Sequence, residues 1–150
     1  MDKKTTPFNK DSSAVQAHLT IMQGVIQRMA ENSRFCKTWC IIIVSAVLVF
    51  VVRVEKPDYI LIALVPTVLF LFLDTYYLAL ERGFRESYKA FVGKLHAADE
   101  AISPNLYVVE TTGSRLSHFL RSLLSPAIWP FYLMLFLIIG VLFFWLAKCA

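Results

Sequence analysis

The residue best placed to do chemistry in this sequence is Asp74, a carboxylate inside the apolar stretch Tyr59–Leu80, "YILIALVPTVLFLFLDTYYLAL". Counted as a helix from its first residue, the stretch carries Asp74 about 22 Å deep, where a charge is costly unless it is paired or hydrated. One interpretation is a ring of Asp74 side chains around a water-filled path in an oligomer, since acids favour cations. Three other residues are candidates for this pore or its gate: Pro66, which would kink the helix mid-span, Thr67 and Thr75.

The alternative interpretation gives Asp74 a structural role. On an antiparallel neighbouring helix, Lys37 or Arg34 would lie at a similar depth and could pair with the carboxylate. The side chain could also extend to the nearer membrane interface, as long polar side chains do. The sequence alone leaves both the conducting and the structural role open.

Catalytic or cofactor chemistry is not indicated by the other polar residues. The sequence contains no glycine-rich phosphate loop, no nucleophile elbow and no cysteine or histidine spacing typical of zinc sites. Its three histidines, His18, His96 and His118, are scattered over three segments. We therefore expect neither an enzyme nor a protein with a cofactor or metal.

The elements that must position Asp74 are long hydrophobic helices. The chain of 150 residues is 57% apolar and only 17% charged, which is far from the composition of a soluble domain. Its apolar residues form three blocks: Trp39–Val54, Tyr59–Leu80 and Ser125–Leu146. The first two are joined only by "EKPD", Glu55–Asp58, which is too short for anything but a tight turn. The expected fold is all-α, an integral membrane protein with three transmembrane helices, the first two forming an antiparallel hairpin.

The distribution of Lys and Arg predicts the orientation. Six lie before the first block, two around the short connection, six between the second and third blocks, and one after the third. Positive residues accumulate on the cytosolic side of membrane proteins. We therefore expect the N-terminus and the long middle segment in the cytosol and the C-terminus outside.

Amphipathic stretches extend the first two blocks on their cytosolic side. Apolar residues recur at helical spacing in both stretches, so each helix would present an apolar stripe to the other or to a second subunit. Gly24 in the first stretch weakens the helix but would let another backbone approach. The stripes form a candidate oligomer seam made of Leu19, Met22, Ile26, Met29, Phe84, Tyr88 and Phe91. Packing within one chain would explain most of this pattern equally well.

Four regions follow from these observations. Residues 1–37 form a cytosolic tail and amphipathic helix, and residues 38–96 form the transmembrane hairpin with its helical extension. Residues 97–124 form a cytosolic linker and a short amphipathic helix, "RLSHFLRSLLS", suited to the headgroup plane. Residues 125–150 form the third transmembrane helix.

Two strings resemble a known family. The helix leading through "ENSRFCKTWCIII" into a span, and the second span ending in "LDTYYLALERGFRESY", resemble the SLATT-type small transmembrane effectors of bacterial anti-phage immunity loci. The most specific part is D-x-Y-Y-L-x-x-E-R-x-F-R-x-x-Y, from Asp74 to Tyr88. The resemblance covers about residues 13–96, whereas the third span is an addition to the pattern. It implies a protein of the bacterial inner membrane that oligomerises into a pore under a sensor or nucleotide signal.

Two functions are compatible with these features. The first is an oligomeric pore or channel that depolarises the membrane, with membrane lipid, copies of itself, and a cytosolic regulatory protein or nucleotide as partners. The second is a non-conducting scaffold or accessory subunit that docks a cytosolic partner through the two stripes. Twelve Lys and Arg lie in the segments expected in the cytosol, but the orientation rule already accounts for them. No specific nucleic-acid binding is expected.

Overall fold

A computed structural model describes residues 12–96, 110–111 and 114–149. Within these residues the chain forms α-helices α1 (Ser13–Val54), α2 (Leu64–His96), α3 (Arg115–Leu123) and α4 (Trp129–Cys149), with a 3-10 helix over Pro57–Ala63. The described part contains no strand, which confirms the all-α prediction. The predicted linker lies outside the described residues from 97 to 109.

Helix α1 runs without interruption from the predicted amphipathic stretch into the first hydrophobic block. It begins where the Ser12 hydroxyl accepts a hydrogen bond from the Val15 N–H, and no proline interrupts its 42 residues. It ends at Glu55, a non-glycine residue in the left-handed region at φ 56°, whose N–H donates to the Val51 carbonyl. This geometry reverses the chain in a few residues.

The second hydrophobic block differs from the single α-helix that we expected from Tyr59. Its first part is the 3-10 helix Pro57–Ala63, and α2 begins only at Leu64. Pro66 therefore lies in the first turn of α2 and not at a kink in the middle of an α-helix. The physical reason is that proline has no N–H to donate to the carbonyl four residues earlier, so the α-helical ladder starts around it.

Helices α1 and α2 contact each other in reversed chain order. His18 packs on Phe91, Gln23 Nε2 donates to Tyr88 Oη over 3.1 Å, and the Ser33 hydroxyl bonds to Asp74. Beyond Asp74, a core of small and branched residues joins α1, the 3-10 helix and α4; its fully enclosed members include Cys40, Val44, Val51, Ile60, Ala63 and Ile128. The contacts place the two apolar stripes face to face within one chain.

The candidate seam residues are largely covered by this intramolecular packing. Met22 and Phe91 are buried, while Leu19 packs beside Phe91 in the same small cluster. The remaining seam residues, Ile26, Met29, Phe84 and Tyr88, are half-buried. Gly24 meets no other part of the described chain, since a Cβ added there has nothing within 4 Å. No backbone of the same described chain approaches Gly24, and an approach by a second copy stays a prediction.

Helix α4 begins four residues later than the predicted third block. The Ser125 carbonyl accepts from the Ile128 and Trp129 N–H groups, and its hydroxyl accepts from Ala127, so a turn precedes the helix. Pro130 is accommodated in the first turn of α4, where a missing N–H costs nothing. The helix then continues to Cys149, past the predicted end.

Three of the helical segments are long and apolar enough to cross a membrane: Ser13–Val54, Pro57–His96 and Trp129–Lys148. Large apolar side chains on their outer surfaces are exposed in the isolated chain, among them Ile42, Phe50, Leu69, Phe72, Leu137 and Phe144. A band of this kind is typical of a surface that faces lipid or another apolar partner.

Candidate functional site

The site is built from three polar side chains of α1 and α2 at the edge of the apolar core. Ser33 and Lys37 are one turn apart on α1, so their side chains lie on the same face of that helix. Asp74 of α2 points at both, and we call these three residues the Asp74 cluster. The Ser33 hydroxyl donates to Asp74 Oδ1, and Lys37 Nζ lies 2.5 Å from Asp74 Oδ2.

Burial is unequal across the Asp74 cluster. The Asp74 side chain is 0% exposed, while the Lys37 side chain remains 25% exposed. Lys37 Nζ also lies 3.4 Å from the Ser33 hydroxyl, so the serine contacts both members of the ion pair. A buried carboxylate is stable only when its charge is compensated, and here one cation and one hydroxyl compensate it.

Lys37 is the partner in the structure, and Arg34 is not. Arg34 is exposed, and its guanidinium lies over the neighbouring Phe35 ring at 5.9 Å from the centroid. Lys37 comes one turn later than Ser33 and therefore stays on the side of α1 that faces α2. Of the two cations suggested by the sequence, Lys37 pairs with Asp74, and it is the one that shares a helix face with Ser33.

Tyr132 of α4 is another fully enclosed polar side chain, and it belongs to the apolar core at whose edge the Asp74 cluster lies. The hydroxyl satisfies no hydrogen-bond geometry with any group in the described part of the chain. Neither Tyr132 nor Ser33 was among the site residues predicted from the sequence. The signal for Ser33 was its spacing of four from Lys37.

The other pore candidates do not join the cluster. Thr67 and Thr75 are fully enclosed, and their hydroxyls donate over 2.7 Å to carbonyls four residues earlier, Ala63 at the end of the 3-10 helix and Leu71 on α2. Such bonds satisfy the hydroxyls locally. Pro66 lies two turns from Asp74, at the beginning of α2. In the described part of a single chain, the three other pore candidates and Asp74 do not line a common open path.

The Asp74 cluster brings a carboxylate, an ammonium and a hydroxyl into mutual contact. No group of three metal-ligating side chains occurs in the described residues. The Asp74 cluster instead holds a charge pair between two helices at one end of an apolar core, which is stable while closed. Separating the helices there would expose a carboxylate to a new environment, so opening requires hydration or another partner for the charge.

Comparisons of this chain with protein-family models, with curated proteins and with solved structures gave no match.

Proposed function

We propose that the chain is a gated membrane effector of the bacterial inner membrane, whose closed state is held by the Asp74 cluster and whose open state permeabilises the membrane. In this proposal α1 and α2 form an antiparallel transmembrane hairpin, and α4 is a third span. The N-terminus and α3 lie in the cytosol, and the C-terminus lies outside. The resemblance of residues 13–96 to SLATT-type effectors supplies the class of function and a role in anti-phage defence.

The observation that carries the proposal is the enclosed carboxylate paired across two helices. An ionisable residue at membrane depth is expensive to keep, and such residues usually serve ion paths or switches. A pair made of Asp74 and Lys37 lets the chain insert with the carboxylate neutralised. When the helices part, the same carboxylate becomes available to hydrate a path between copies of the chain.

Oligomerisation in this proposal uses surfaces other than the two stripes, because the stripes already cover each other. The exposed face of α1 where it approaches the membrane carries Phe35 and Trp39, with Ile42 one turn further along. These apolar side chains are available for a second copy or for lipid. The trigger that shifts the equilibrium would be a cytosolic protein or nucleotide.

The test is membrane potential, followed with a fluorescent dye in bacteria after induced expression. The variants are Asp74→Asn and Lys37→Met, with Asp58→Asn as a matched control for an exposed acid. We expect faster depolarisation for both cluster variants than for wild type and no change for the control. Slower depolarisation in Asp74→Asn would show that losing the carboxylate from the open path outweighs losing the pair that holds the closed state. An unchanged potential for all variants, with protein confirmed in the membrane, would favour the non-conducting scaffold.

A further inference from the structure

An apolar cavity lies between α2 and α3, away from the Asp74 cluster. Its volume is about 280 Å³, close to the lower end of the range for small-ligand pockets. Its walls are Tyr76, Ala79 and Leu80 on α2 and Leu116, His118 and Phe119 on α3. Thr111 of the preceding segment also contributes. All but the histidine and the threonine present mainly apolar surface, so the cavity fits a hydrocarbon group.

The outer face of α3 continues this apolar surface. Leu116, Leu120 and Leu124 follow one another at spacings of four and are 67%, 53% and 71% exposed. Residues four apart lie on one face of a helix, so the three leucines form a row. A row of exposed leucines on a short amphipathic helix is typical of a segment lying at the boundary of headgroups and acyl chains.

Two arginines, Arg82 of α2 and Arg121 of α3, come together at the α2–α3 junction, each two residues after a residue that lines the cavity. Arg82 Nη1 donates to the Arg121 carbonyl over 2.9 Å, and Arg82 Nη2 donates to the Ser125 hydroxyl over 2.7 Å. Both acceptors are neutral. Burial and the neighbouring positive charge of Arg121 lower the pKa of Arg82, with Glu81 acting in the opposite direction.

The two guanidiniums are not neutralised by acidic residues of the described chain. Glu81 pairs with Arg85 over 2.8 Å, and Glu86 pairs with His118 over 3.5 Å. In the described ranges no carboxylate forms an ion pair with Arg82 or Arg121. Two like charges on the two helices that form the apolar cavity are complementary to an anion with a hydrocarbon tail.

We propose that the α2–α3 junction binds one anionic phospholipid, with an acyl chain in the cavity and its phosphate between Arg82 and Arg121. The proposal rests on the membrane placement given above and not on permeabilisation. The proposal gives α3 a role, because a lipid bound at the junction would hold α3 against α2, next to the first residues of α4. Arg82 is a structural tie as well as a ligand, whereas Arg121 is exposed and separable.

The test is native mass spectrometry of the full chain in detergent, titrated with phosphatidylglycerol or with phosphatidylcholine of the same acyl chains. We expect phosphatidylglycerol to bind at least about tenfold more tightly, and Arg121→Gln to remove about that advantage. Arg53→Gln, an exposed arginine at the far end of α1, is the matched control and should leave both affinities unchanged. Leu116→Gln should weaken phosphatidylglycerol more than Leu124→Gln, because only Leu116 lines the cavity.

Several results would overturn the proposal. Equal affinity for the two lipids, or equal effects of Arg121→Gln and Arg53→Gln, would show that the junction has no phosphate site. Full competition by glycerol phosphate alone would mean that the cavity takes no part and the site binds a soluble anion. Dimers that form through α3 and exclude lipid would assign the surface to a second copy. Because the measurement is made on purified protein, its outcome is independent of whether the chain depolarises cells.

Discussion

At the residue scale, the state of Asp74 depends on Lys37 more than on any other side chain. Lys37→Met would leave a fully enclosed carboxylate with only the Ser33 hydroxyl as partner, which is expected to cost about 3 kcal/mol of unfolding free energy. The double change Lys37→Met with Asp74→Leu should recover most of that loss, because no charge is then buried. Unfolding in mixed detergent micelles, followed by circular dichroism, measures both values. Additive effects of the two substitutions would show that the residues do not interact.

A second residue-scale prediction concerns pH. His18 is enclosed against Phe91, with ring centroids 4.4 Å apart, and this burial lowers the pKa of His18 below its usual value of 6.5. The unfolded chain therefore binds a proton at higher pH than the folded chain does, and stability falls as pH drops below about 6.5. His18→Phe should flatten this pH dependence, measured as unfolding free energy from pH 7.5 to 5. An equally steep loss in the variant would assign the acid sensitivity to other groups.

The charged residues of the site were predictable from the sequence, whereas Ser33, Tyr132 and the geometry were not. Asp74 is conspicuous because a charge interrupts an apolar run, and its position suggested Lys37 or Arg34 as a partner. The contribution of Tyr132 could not be found in this way, because it depends on where α4 packs against two helices distant in sequence. Thr67 and Thr75 were candidates for the wall of a water-filled path, but hydrogen bonds to carbonyls four residues earlier in the chain satisfy their hydroxyls.

At the scale of elements, two glycines on helices that pack together differ in their surroundings. Gly24 has nothing near the position of a Cβ, whereas a Cβ on Gly83 would lie 3.0 Å from Thr111 Cβ. Gly24→Ala should therefore raise the unfolding free energy by roughly 1 kcal/mol through helix propensity alone. Gly83→Ala gains the same propensity but displaces Thr111, so it should be neutral or destabilising. Thermal unfolding of the two variants side by side checks this, and equal stabilisation would contradict the observed packing at Gly83.

The helices were predicted well in kind and less well at their ends. Continuous apolar periodicity with no proline indicated one helix from the first stretch into the first block, and α1 has this form. Prolines explain the errors elsewhere: the block that contains Pro66 starts as a 3-10 helix, and the block that contains Pro126 and Pro130 becomes helical only at Trp129. A proline is visible in the sequence, but whether it kinks a helix or begins one depends on the turns before it.

At the scale of the whole molecule, the proposed orientation gives a direct labelling prediction. Asp58 lies in the 3-10 helix and Ser117 lies on α3. Both residues are exposed. In a background without native cysteines, Asp58→Cys should react with a membrane-impermeant maleimide on spheroplasts, because its loop is proposed to lie outside. Ser117→Cys should react only after the membrane is permeabilised. The reverse pattern would contradict the proposed orientation. Labelling of both cysteines in intact spheroplasts would show that α2 does not cross the membrane.

The most direct test of the proposed gate is ion flux from liposomes that contain the purified chain. The variants are Lys37→Met, which breaks the pair, and Lys37→Asp with Asp74→Lys, which exchanges its charges. If the Asp74 cluster holds the closed state, breaking it should increase the flux, up to about a hundredfold for a pair worth about 3 kcal/mol. The charge-exchanged chain should then return toward the wild-type rate. A flux that is equal or lower in Lys37→Met, or that stays high in the charge-exchanged chain, would contradict a gate held by this pair.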